Sequence, residues 1–541
     1  NWQGLRWSSA GLCYLATDDT YPAANATQCF TKVKRFLAEN MGTSGASRGW
    51  NIEALGYTMY PWGTVGPYGI AAKRLSGLDI REAAPAAVDH TLWTVYAAAC
   101  RIQSRRPGTF GLRPDFSDDH PEHIGEGSYG LAFHYCPTAL KPGLVSWYDR
   151  MVGIGGDRTF DNARAGTIYS ILFHPGTAIA ARDPSSIPEW RSAMLDTGGN
   201  GMFTFRDSYL DAGDVLAQVY GKLRGSAGHN GPDGLGFRII GLGAPFAVGG
   251  GRYSSGNPYY RSQNSLYPVD PDGTLTVNNN PGTVVGTPMF DGKRGSVVLR
   301  AATTNLNVKA HTRRFLSDFS AESGARAVFV VSDTSDDGKY FQFCTLPANT
   351  IQTAGNTFTI TAANGASLRG TVIHPATAVF ATGERARGSA YPYLGTDHSN
   401  NRFIHSRSDD GDHLVVMTLV PAGGTHPAIT GLRGSGANGS RSFSVGGTTY
   451  GIDGDRVSMS DVPTGLDVTR VQFDGSATGA APFVIDLGGT SAATSGATWS
   501  ADASTPGAQR TVLPLAVSDS AAGSWTGEVV IDEVVEPTIA R

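Results

Sequence analysis

The spacing of apolar residues along the chain changes near residue 200. Up to about residue 195 they recur at helical intervals, as Cys29, Val33, Phe36 and Leu37 do, and beyond Gly201 short runs alternate apolar and polar side chains. One type of element cannot satisfy both periods, because side chains repeat about every 3.6 residues in a helix and about every 2 in a strand. The sequence therefore predicts a helical region followed by a region of strands.

The predicted fold class is α+β with several domains, an N-terminal (α/α) toroid followed by antiparallel β-sandwich domains. Strands that follow one another without intervening helices favour antiparallel sheets over β-α-β units. The helices are predicted over residues 5–16, 29–37, 68–75, 88–102, 128–135, 144–152, 162–173 and 187–195. The strands are predicted over residues 203–205, 215–220, 237–240, 296–301, 327–331, 341–346, 358–361, 371–374, 379–381, 414–419, 468–473, 483–487, 511–517 and 528–534.

The chain is too long for one ordinary hydrophobic core, since it has 541 residues and a mass of 56.8 kDa. We expect a toroid domain at 1–198, a central β-sandwich at 199–430 and a C-terminal β-sheet domain at 431–541. The last boundary falls on a Gly- and Ser-rich stretch that begins at Gly431 and predicts either a linker or a long turn. The third region is either a sheet packed on the sandwich or a separate module.

The charge pattern argues against nucleic acid and membranes as partners. The net charge is −4, the isoelectric point is near 6.3, and no block of basic residues occurs. No apolar run approaches the roughly 18 residues that span a bilayer. Seventy glycines and only 17% charged residues favour a secreted or periplasmic bacterial protein whose leader has been removed, with a cytosolic protein as the alternative.

The cysteines give no metal-binding pattern. All five are scattered without a C-x-x-C pair, which argues against a thiolate metal site. Four of them precede residue 137, so one or two disulfides between helices and buried free thiols are both open.

A Gly-rich connection carries His229, Asn230 and Asp233 between two alternating runs, residues 214–222 and 237–242. The pattern predicts two strands joined by a loop. A histidine on a loop held by strands can move protons near neutral pH or bind a metal. The alternative is a solvated turn in which Asn230 and Asp233 only tolerate the bend.

Aromatic residues are concentrated in residues 50–69, among Gly and Pro. Aromatic faces with polar tips suit sugar rings, because they offer contact area at a low entropy cost. The alternative is that Trp50, Tyr57, Trp62 and Tyr68 fill the inside of the helical ring. A second notable stretch, residues 114–135, contains Pro-Asp, several acidic residues and histidines, and then two tyrosines on a predicted helix.

The order of these motifs resembles that of the heparinase II/III-like polysaccharide lyases. In the second half the resemblance consists of an FR opening, a His followed four residues later by Asp and eight later by Phe, and a Gly-rich segment ending in Tyr: Arg206, His229, Asp233, Phe237 and Tyr253. In the first half, Pro-Asp followed by Glu126-Gly127-x-Tyr129 and by Tyr135 is similar to the family's P-D-G…E-G-x-x-Y-x-x-Y element.

The resemblance implies a toroid before a β-sandwich, with an active site between them that cleaves an acidic polysaccharide or oligosaccharide by β-elimination at a uronic acid. Tyr129 is then the closest match to the catalytic tyrosine, Tyr135 is second, and His229 shares the proton transfer. Asn51, Asn230, Arg206 and Arg252 are candidates to hold the carboxylate. The remaining candidates are Glu126 for acid–base work and Glu53, Tyr57, Tyr60, Trp62, His123 and Tyr253 for substrate binding.

The chain departs from the family at two places. Three positions at which many relatives carry zinc ligands hold Asn230-Gly231, Gln263-Asn264 and the Ala247–Gly249 segment, so no metal and no cofactor are expected. The family's Asn-His pair of the toroid is also not evident, which leaves room for a glycoside hydrolase that uses Glu53 and Glu126 as acid and base. A non-catalytic carbohydrate-binding protein is the third possibility.

Overall fold

The structure is a computed structural model, and it describes a defined part of the chain. The described residues are 2–17, 23–40, 55–85, 90–97, 99–103, 110–112, 115–116, 128–151, 167–187, 190, 202–221, 231–251, 259–271, 282–304, 306–387, 399–433, 441–453, 456–461, 472–474, 484–486, 491–493, 511–514, 517–518 and 528–531. Among these residues, no helix is both long enough and apolar enough to cross a membrane.

Helices fill the first part of the chain and antiparallel sheets the rest, which confirms the predicted α+β class. The helices are α1 (Trp2–Ala16), α2 (Ala23–Asn40), α3 (Leu55–Ser76), α4 (Ile80–Ala83), α5 (His90–Ala97), α6 (Ser128–Tyr135), α7 (Lys141–Met151) and α8 (Thr167–Phe173). Helix α3 begins 13 residues before the predicted segment 68–75 and contains Pro61 and Pro67. The aromatic stretch 50–69 therefore lies largely within a helix.

Glycines allow α1 to pack closely on its neighbours. A Cβ at Gly4 would lie 2.5 Å from the Phe36 ring, and a Cβ at Gly11 would lie 2.3 Å from the Tyr68 ring. Phe36 and Tyr68 belong to a buried cluster that α2 and α3 share with Leu131 and Tyr135 of α6. The missing side chains thus set the distance between these helices.

The strands are numbered in chain order. They are β1 (Ala99–Gln103), β2 (Phe110–Leu112), β3 (Met202–Arg206), β4 (Val215–Tyr220), β5 (Gly236–Gly241), β6 (Ala244–Ala247), β7 (Leu266–Tyr267), β8 (Thr283–Val284), β9 (Met289–Phe290), β10 (Arg294–Thr303), β11 (Lys309–Asp318), β12 (Ala327–Thr334), β13 (Tyr340–Thr345), β14 (Thr350–Ala354), β15 (Thr357–Thr361), β16 (Ser367–His374), β17 (Phe380–Ala386), β18 (Asn400–Arg407), β19 (His413–Val420), β20 (Ile429–Arg433), β21 (Arg441–Val445), β22 (Thr448–Asp453), β23 (Arg456–Asp461), β24 (Gln472–Asp474), β25 (Val484–Asp486), β26 (Ser491–Ala493), β27 (Thr511–Pro514), β28 (Val517–Ser518) and β29 (Glu528–Ile531).

Three sheets share the largest core. One has nine strands in the order β14-β15-β16-β19-β12-β11-β10-β8, with β9 also paired to β10, and two have four strands in the orders β3-β4-β5-β6 and β17-β18-β13-β7. Their buried cluster includes Phe205, Phe237, Phe315, Phe329 and Phe343. Antiparallel sheets that bury one face together form a sandwich.

The sheet β3-β4-β5-β6 is buried on both faces. One face of β3 and β4 contributes Phe203, Phe205 and Val219 to the sandwich core. The other contributes Met202 and Tyr220 to a cluster that otherwise comes mainly from the helices. Because side chains alternate along a strand, polar residues at the intervening positions are enclosed where helices meet sheet.

A further predicted element differs from the structure. The helix predicted over 88–102 ends at Ala97, and Ala99–Gln103 forms a strand that pairs with Phe110–Leu112. Strands β20 and β21, which flank the Gly- and Ser-rich residues 434–440, pair with each other, with Arg433 opposite Ser442. Residues 434–440 themselves lie outside the described part of the chain.

The chain divides into two compact units, one of residues 1–321 and 325–426 and one of residues 322–324 and 427–541. The first contains the helices and the three sheets of the sandwich, and the second contains β20 to β29. The three domains of the sequence analysis remain a prediction. Cys13, Cys29, Cys136 and Cys344 are free thiols, so none of these four forms the disulfides considered above. Cys100 lies where side chains are not described.

Candidate active site

A row of polar side chains crosses the helix-facing side of the sheet β3-β4-β5-β6. Thr204, Gln218 and Arg238 lie opposite one another on β3, β4 and β5. The Gln218 amide nitrogen donates to Thr204 Oγ1 at 2.7 Å, and all three residues are buried. A polar row of this kind is stable only when its groups find partners.

Arg238 finds its main partner in the helical part of the chain. Its Nε donates to Asp115 Oδ1 at 3.1 Å and to the Asp115 carbonyl oxygen at 2.8 Å, and its guanidinium stacks on the Phe116 ring at 4.3 Å. A second arginine, Arg387, follows β17 and donates to Asp115 Oδ2 at 2.9 Å. Asp115 is 2% exposed and both arginines are 0% exposed. We call these three residues the Asp115 cluster.

The Asp115 cluster also holds a glycine segment. The backbone nitrogen of Gly249 donates to Asp115 Oδ1 at 2.8 Å, and its carbonyl accepts from the Asn401 amide at 2.6 Å. A Cβ at Gly249 would lie 2.2 Å from Arg238 Nη2, so no other residue fits there without moving the guanidinium. Gly251 has a φ of 73°, a conformation that favours glycine.

Gln263 and Asn264, which stand at positions that bind zinc in the family that the sequence resembles, make other contacts here. The Gln263 amide oxygen accepts from Arg238 Nη2 at 2.8 Å. The Asn264 amide nitrogen donates to two carbonyls, those of Phe237 and Val248, while its oxygen accepts from the Cys344 backbone nitrogen. Within the described ranges no three His, Cys, Asp or Glu residues gather as metal ligands would. These contacts do not fit a zinc ion, and we derive no step through one.

Arg206 serves the packing of helix against sheet. Its Nη1 donates to the carbonyl oxygens of Val95 and Tyr96, each at 3.0 Å, at the end of α5. Its Nε donates to the Ser208 carbonyl, and its guanidinium lies 3.6 Å from the centre of the Tyr209 ring. A cation at the carbonyl end of a helix satisfies acceptors that the helix leaves open. Because the guanidinium is buried and makes these contacts, Arg206 is a poor candidate to bind the carboxylate of a sugar.

Tyr135 and Trp62 are likewise packing residues. The Tyr135 hydroxyl donates to the Gly66 carbonyl of α3 at 2.6 Å, and its ring lies 5.4 Å from that of Trp62. Both residues are buried, and burial raises the pKa of Tyr135 well above its usual range. A base needs access to substrate, so Tyr135 is the weaker of the two tyrosine candidates. Trp62 is a core residue, as the alternative interpretation of the aromatic stretch predicted.

The other candidates are only partly described. Tyr129 lies in the first turn of α6, and Tyr57 and Tyr60 lie in α3, but their side chains are outside the described part. The following candidates lie outside the described residues altogether: Asn51, Glu53, His123, Glu126, His229, Asn230, Arg252 and Tyr253. Asp233 is described, is buried, and has its Oδ2 3.9 Å from Arg238 Nη2.

No residue of the Asp115 cluster was predicted as a site residue, although the sequence contains two signals. Asp115 belongs to the Pro-Asp pair of the 114–135 stretch, and Arg238 interrupts the apolar run of β5. A charged residue in the middle of a strand with apolar neighbours suggests a buried partner. Arg387 follows β17, most of whose residues are exposed, so its position in the sequence gives no comparable signal.

Solved structures with the same fold include heparinase III, with a TM-score of 0.57, 13% sequence identity, and coverage of 84% of this chain and 66% of that chain. A mutant of the heparan sulfate lyase HepC from Pedobacter heparinus matches with a TM-score of 0.54, 12% identity, and coverage of 85% of this chain and 65% of that chain. The unmutated enzyme matches with a TM-score of 0.52, 11% identity, and coverage of 85% of this chain and 65% of that chain.

This chain spans about two thirds of the length of each of these three structures, 65–66%. No family model matches the sequence. No curated protein matches it either.

Proposed function

We propose that this chain, which has the fold of heparinase III, is a polysaccharide lyase that cleaves a uronic-acid-containing polymer by β-elimination. The observation that carries the proposal is the fold, shared with heparan sulfate lyases over 84–85% of this chain. The motif order of the sequence supports the same conclusion, because Tyr129, His229 and Asp233 follow one another as in that family. Heparan sulfate is therefore the first polymer to test.

The chemistry asks for three kinds of group. A base must remove the proton α to the sugar carboxylate, cations or hydrogen-bond donors must neutralise that carboxylate, and an acid must protonate the leaving oxygen. We assign the base and acid roles to Tyr129 and His229, with Glu126 as a further acid–base candidate. Because Arg206 is engaged with α5, we assign the carboxylate to Asn51, Asn230 and Arg252.

The substrate would be held by the remaining polar and aromatic candidates. Glu53, Tyr57, Tyr60, His123 and Tyr253 keep the substrate-binding role predicted from the sequence, and Trp62 and Tyr135 are reassigned to the helical core. A polymer of this kind lies outside the cell, so we propose a secreted or periplasmic protein.

The test is ultraviolet absorbance of the unsaturated uronate during incubation with heparan sulfate, other glycosaminoglycans, alginate and glucuronan. Tyr129→Phe and His229→Ala are expected to lower the initial rate by about 100-fold or more, as loss of an acid–base group does. Tyr135→Phe is the matched control on the same helix. It removes the hydrogen bond to Gly66 and should lower stability while the rate per folded molecule stays near that of the wild type.

Other outcomes would redirect the proposal. New reducing ends without absorbance would indicate hydrolysis and would make Glu53 and Glu126 the residues to test. Retention on a polysaccharide affinity gel without turnover of any polymer would indicate a binding protein. Full activity in both Tyr129→Phe and His229→Ala would contradict the assigned roles even if elimination occurs.

A further inference from the structure

We propose that Asp115 is a positioning residue, which fixes the course of the Gly249–Gly251 segment, to which the predicted substrate-binding residues Arg252 and Tyr253 are joined in the sequence. The geometric part of this inference concerns described residues alone. Its catalytic part rests on the proposed lyase function.

The carboxylate of Asp115 joins three separate parts of the first compact unit. Oδ1 accepts from Arg238 of β5 and from the backbone nitrogen of Gly249, and Oδ2 accepts from Arg387 after β17. The Asp115 carbonyl accepts from Arg238 as well. One side chain from the helical part thus determines where two strands and the glycine segment lie relative to one another.

The charge of Asp115 is required by its neighbours. Two fully buried guanidiniums face it, and a buried cation that loses its nearer anion is destabilised in a medium that screens poorly. For Arg238, the carboxylate of Asp233, 3.9 Å from Nη2, would remain as a more distant anion. An asparagine has nearly the same shape and would keep an acceptor for Gly249, but it would lose the charge and place an amide N–H group in the cluster. The cluster would then have to rearrange around Arg238 and Arg387.

The glycine segment has little freedom once Asp115 is in place. Gly249 is bonded at its nitrogen to Asp115 and at its oxygen to Asn401, and Arg238 occupies the space of a side chain. At Gly251 a Cβ would lie 3.2 Å from Arg387. A side chain at either end of this short segment would therefore meet a residue that Asp115 binds.

The sequence connects this segment with the candidate site. Arg252 and Tyr253 follow Gly251 directly, and both were predicted to bind substrate. A shift of about 1 Å in a positioning element can lower a catalytic rate by about 100-fold. Asp115 touches neither substrate nor reacting atoms in this account, so it acts through the segment.

The first experiment needs no substrate. Hydrogen–deuterium exchange of the full chain is followed at the amides of residues 249–251 in the wild type and in Asp115→Asn. Exchange there should be about 10-fold faster in the variant, because the hydrogen bond from the Gly249 backbone nitrogen to residue 115 weakens. Asp318→Asn is the matched control, since Asp318 is equally buried and pairs with Arg294 between β10 and β11. It should leave exchange at 249–251 unchanged, and equal exchange in all three proteins would overturn the inference.

The arginine gives a second pair of variants, in case Asp115→Asn fails to fold. Arg387→Lys keeps a cation that can reach Asp115 Oδ2 and should preserve exchange at 249–251, whereas Arg387→Met should accelerate it. Equal effects of Lys and Met would contradict a role for the ion pair.

Turnover then tests the catalytic part. On the polymer that the wild type cleaves, Asp115→Asn should lower kcat by about 10- to 100-fold and change KM by less than about 3-fold, while Asp318→Asn should leave both unchanged per folded molecule. If the wild type cleaves no polymer, the lyase proposal fails and the exchange experiment still decides whether Asp115 holds the segment. Faster exchange in Asp115→Asn with unaltered kcat would refute the catalytic part alone.

Discussion

Asp333 holds a group of buried polar residues in the β-sandwich. Burial alone would raise its pKa, but Arg313, which donates to both carboxylate oxygens, and His311 together hold that pKa well below its usual range. His413 lies opposite Asp333 in the β12–β19 pair, and burial lowers its pKa to about 4 despite the nearby carboxylate. These residues are candidates for acid sensitivity rather than for catalysis.

His413 should make the fold acid-labile. In the unfolded chain a histidine has a pKa of about 6.5, so as the pH falls below that value the unfolded state binds a proton that the folded state does not bind. The resulting loss of unfolding free energy builds up from about pH 6.5 down to about pH 4 and amounts to at most about 3 kcal/mol. In His413→Phe, the urea concentration at the unfolding midpoint of the first compact unit should fall less between pH 7.5 and pH 4.5 than it does in the wild type. A fall as steep as in the wild type would refute this assignment.

Helix α1 shows how glycine positions determine the packing of an element. Gly4 and Gly11 are buried and seven residues apart, so they lie near the same face of the helix, one against Phe36 and the other against Tyr68. The sequence marks this helix by its apolar residues, yet the side chains that are absent decide how near α2 and α3 approach.

Two glycine substitutions in neighbouring helices should therefore change stability in opposite directions. Gly11→Ala would place a methyl group 2.3 Å from the Tyr68 ring and should destabilise the first compact unit by about 1–3 kcal/mol. Gly63→Ala in α3 meets no atom within 4 Å and should stabilise the helix by up to about 1 kcal/mol. Thermal unfolding followed by far-ultraviolet circular dichroism would measure both changes. Shifts of the same sign would contradict the packing argument.

Strand β11 marks the limit of periodicity as a guide to elements. Its sequence, KAHTRRFLSD, is so polar that no strand was predicted between residues 302 and 326, yet most of it is buried. His311 and Arg313 point to a buried carboxylate on the adjacent strand, which removes the cost of enclosing them. A scale that counts charged residues as exposed cannot find such a strand, because its partner lies about 20 residues away.

The two compact units divide the chain near His426 and distribute the candidate residues unequally. Tyr129, His229 and the Asp115 cluster all belong to the first unit by their position in the sequence. The second unit adds short paired strands and contains none of the predicted site residues.

Removal of residues 427–541 should accordingly spare catalysis. The shortened chain is expected to keep the elimination rate per folded molecule within about 3-fold of the full chain, because each unit has its own contacts. The absorbance assay on the polymer cleaved by the full chain measures this, with the rate normalised to folded protein. A loss greater than about 10-fold in a folded protein would assign the second unit a part in turnover.

The sequence by itself determined the kinds of element and their order. The change of period near residue 200 predicted helices before strands, and strands such as β4 and β5 were found at nearly their observed bounds, because side-chain alternation is a local property. The motif order likewise predicted the heparinase-like fold, which the solved structures confirm.

Only the tertiary structure decided which charged residues are buried and what they hold. Arg206 was predicted to bind substrate but caps a helix more than 100 residues earlier in the chain. Asp115 meets Arg238 at a separation of 123 residues and Arg387 at 272. A buried charge is stable only where an opposite charge or hydrogen-bonding groups are brought to it, and at such separations the fold, rather than the local pattern, determines the partner.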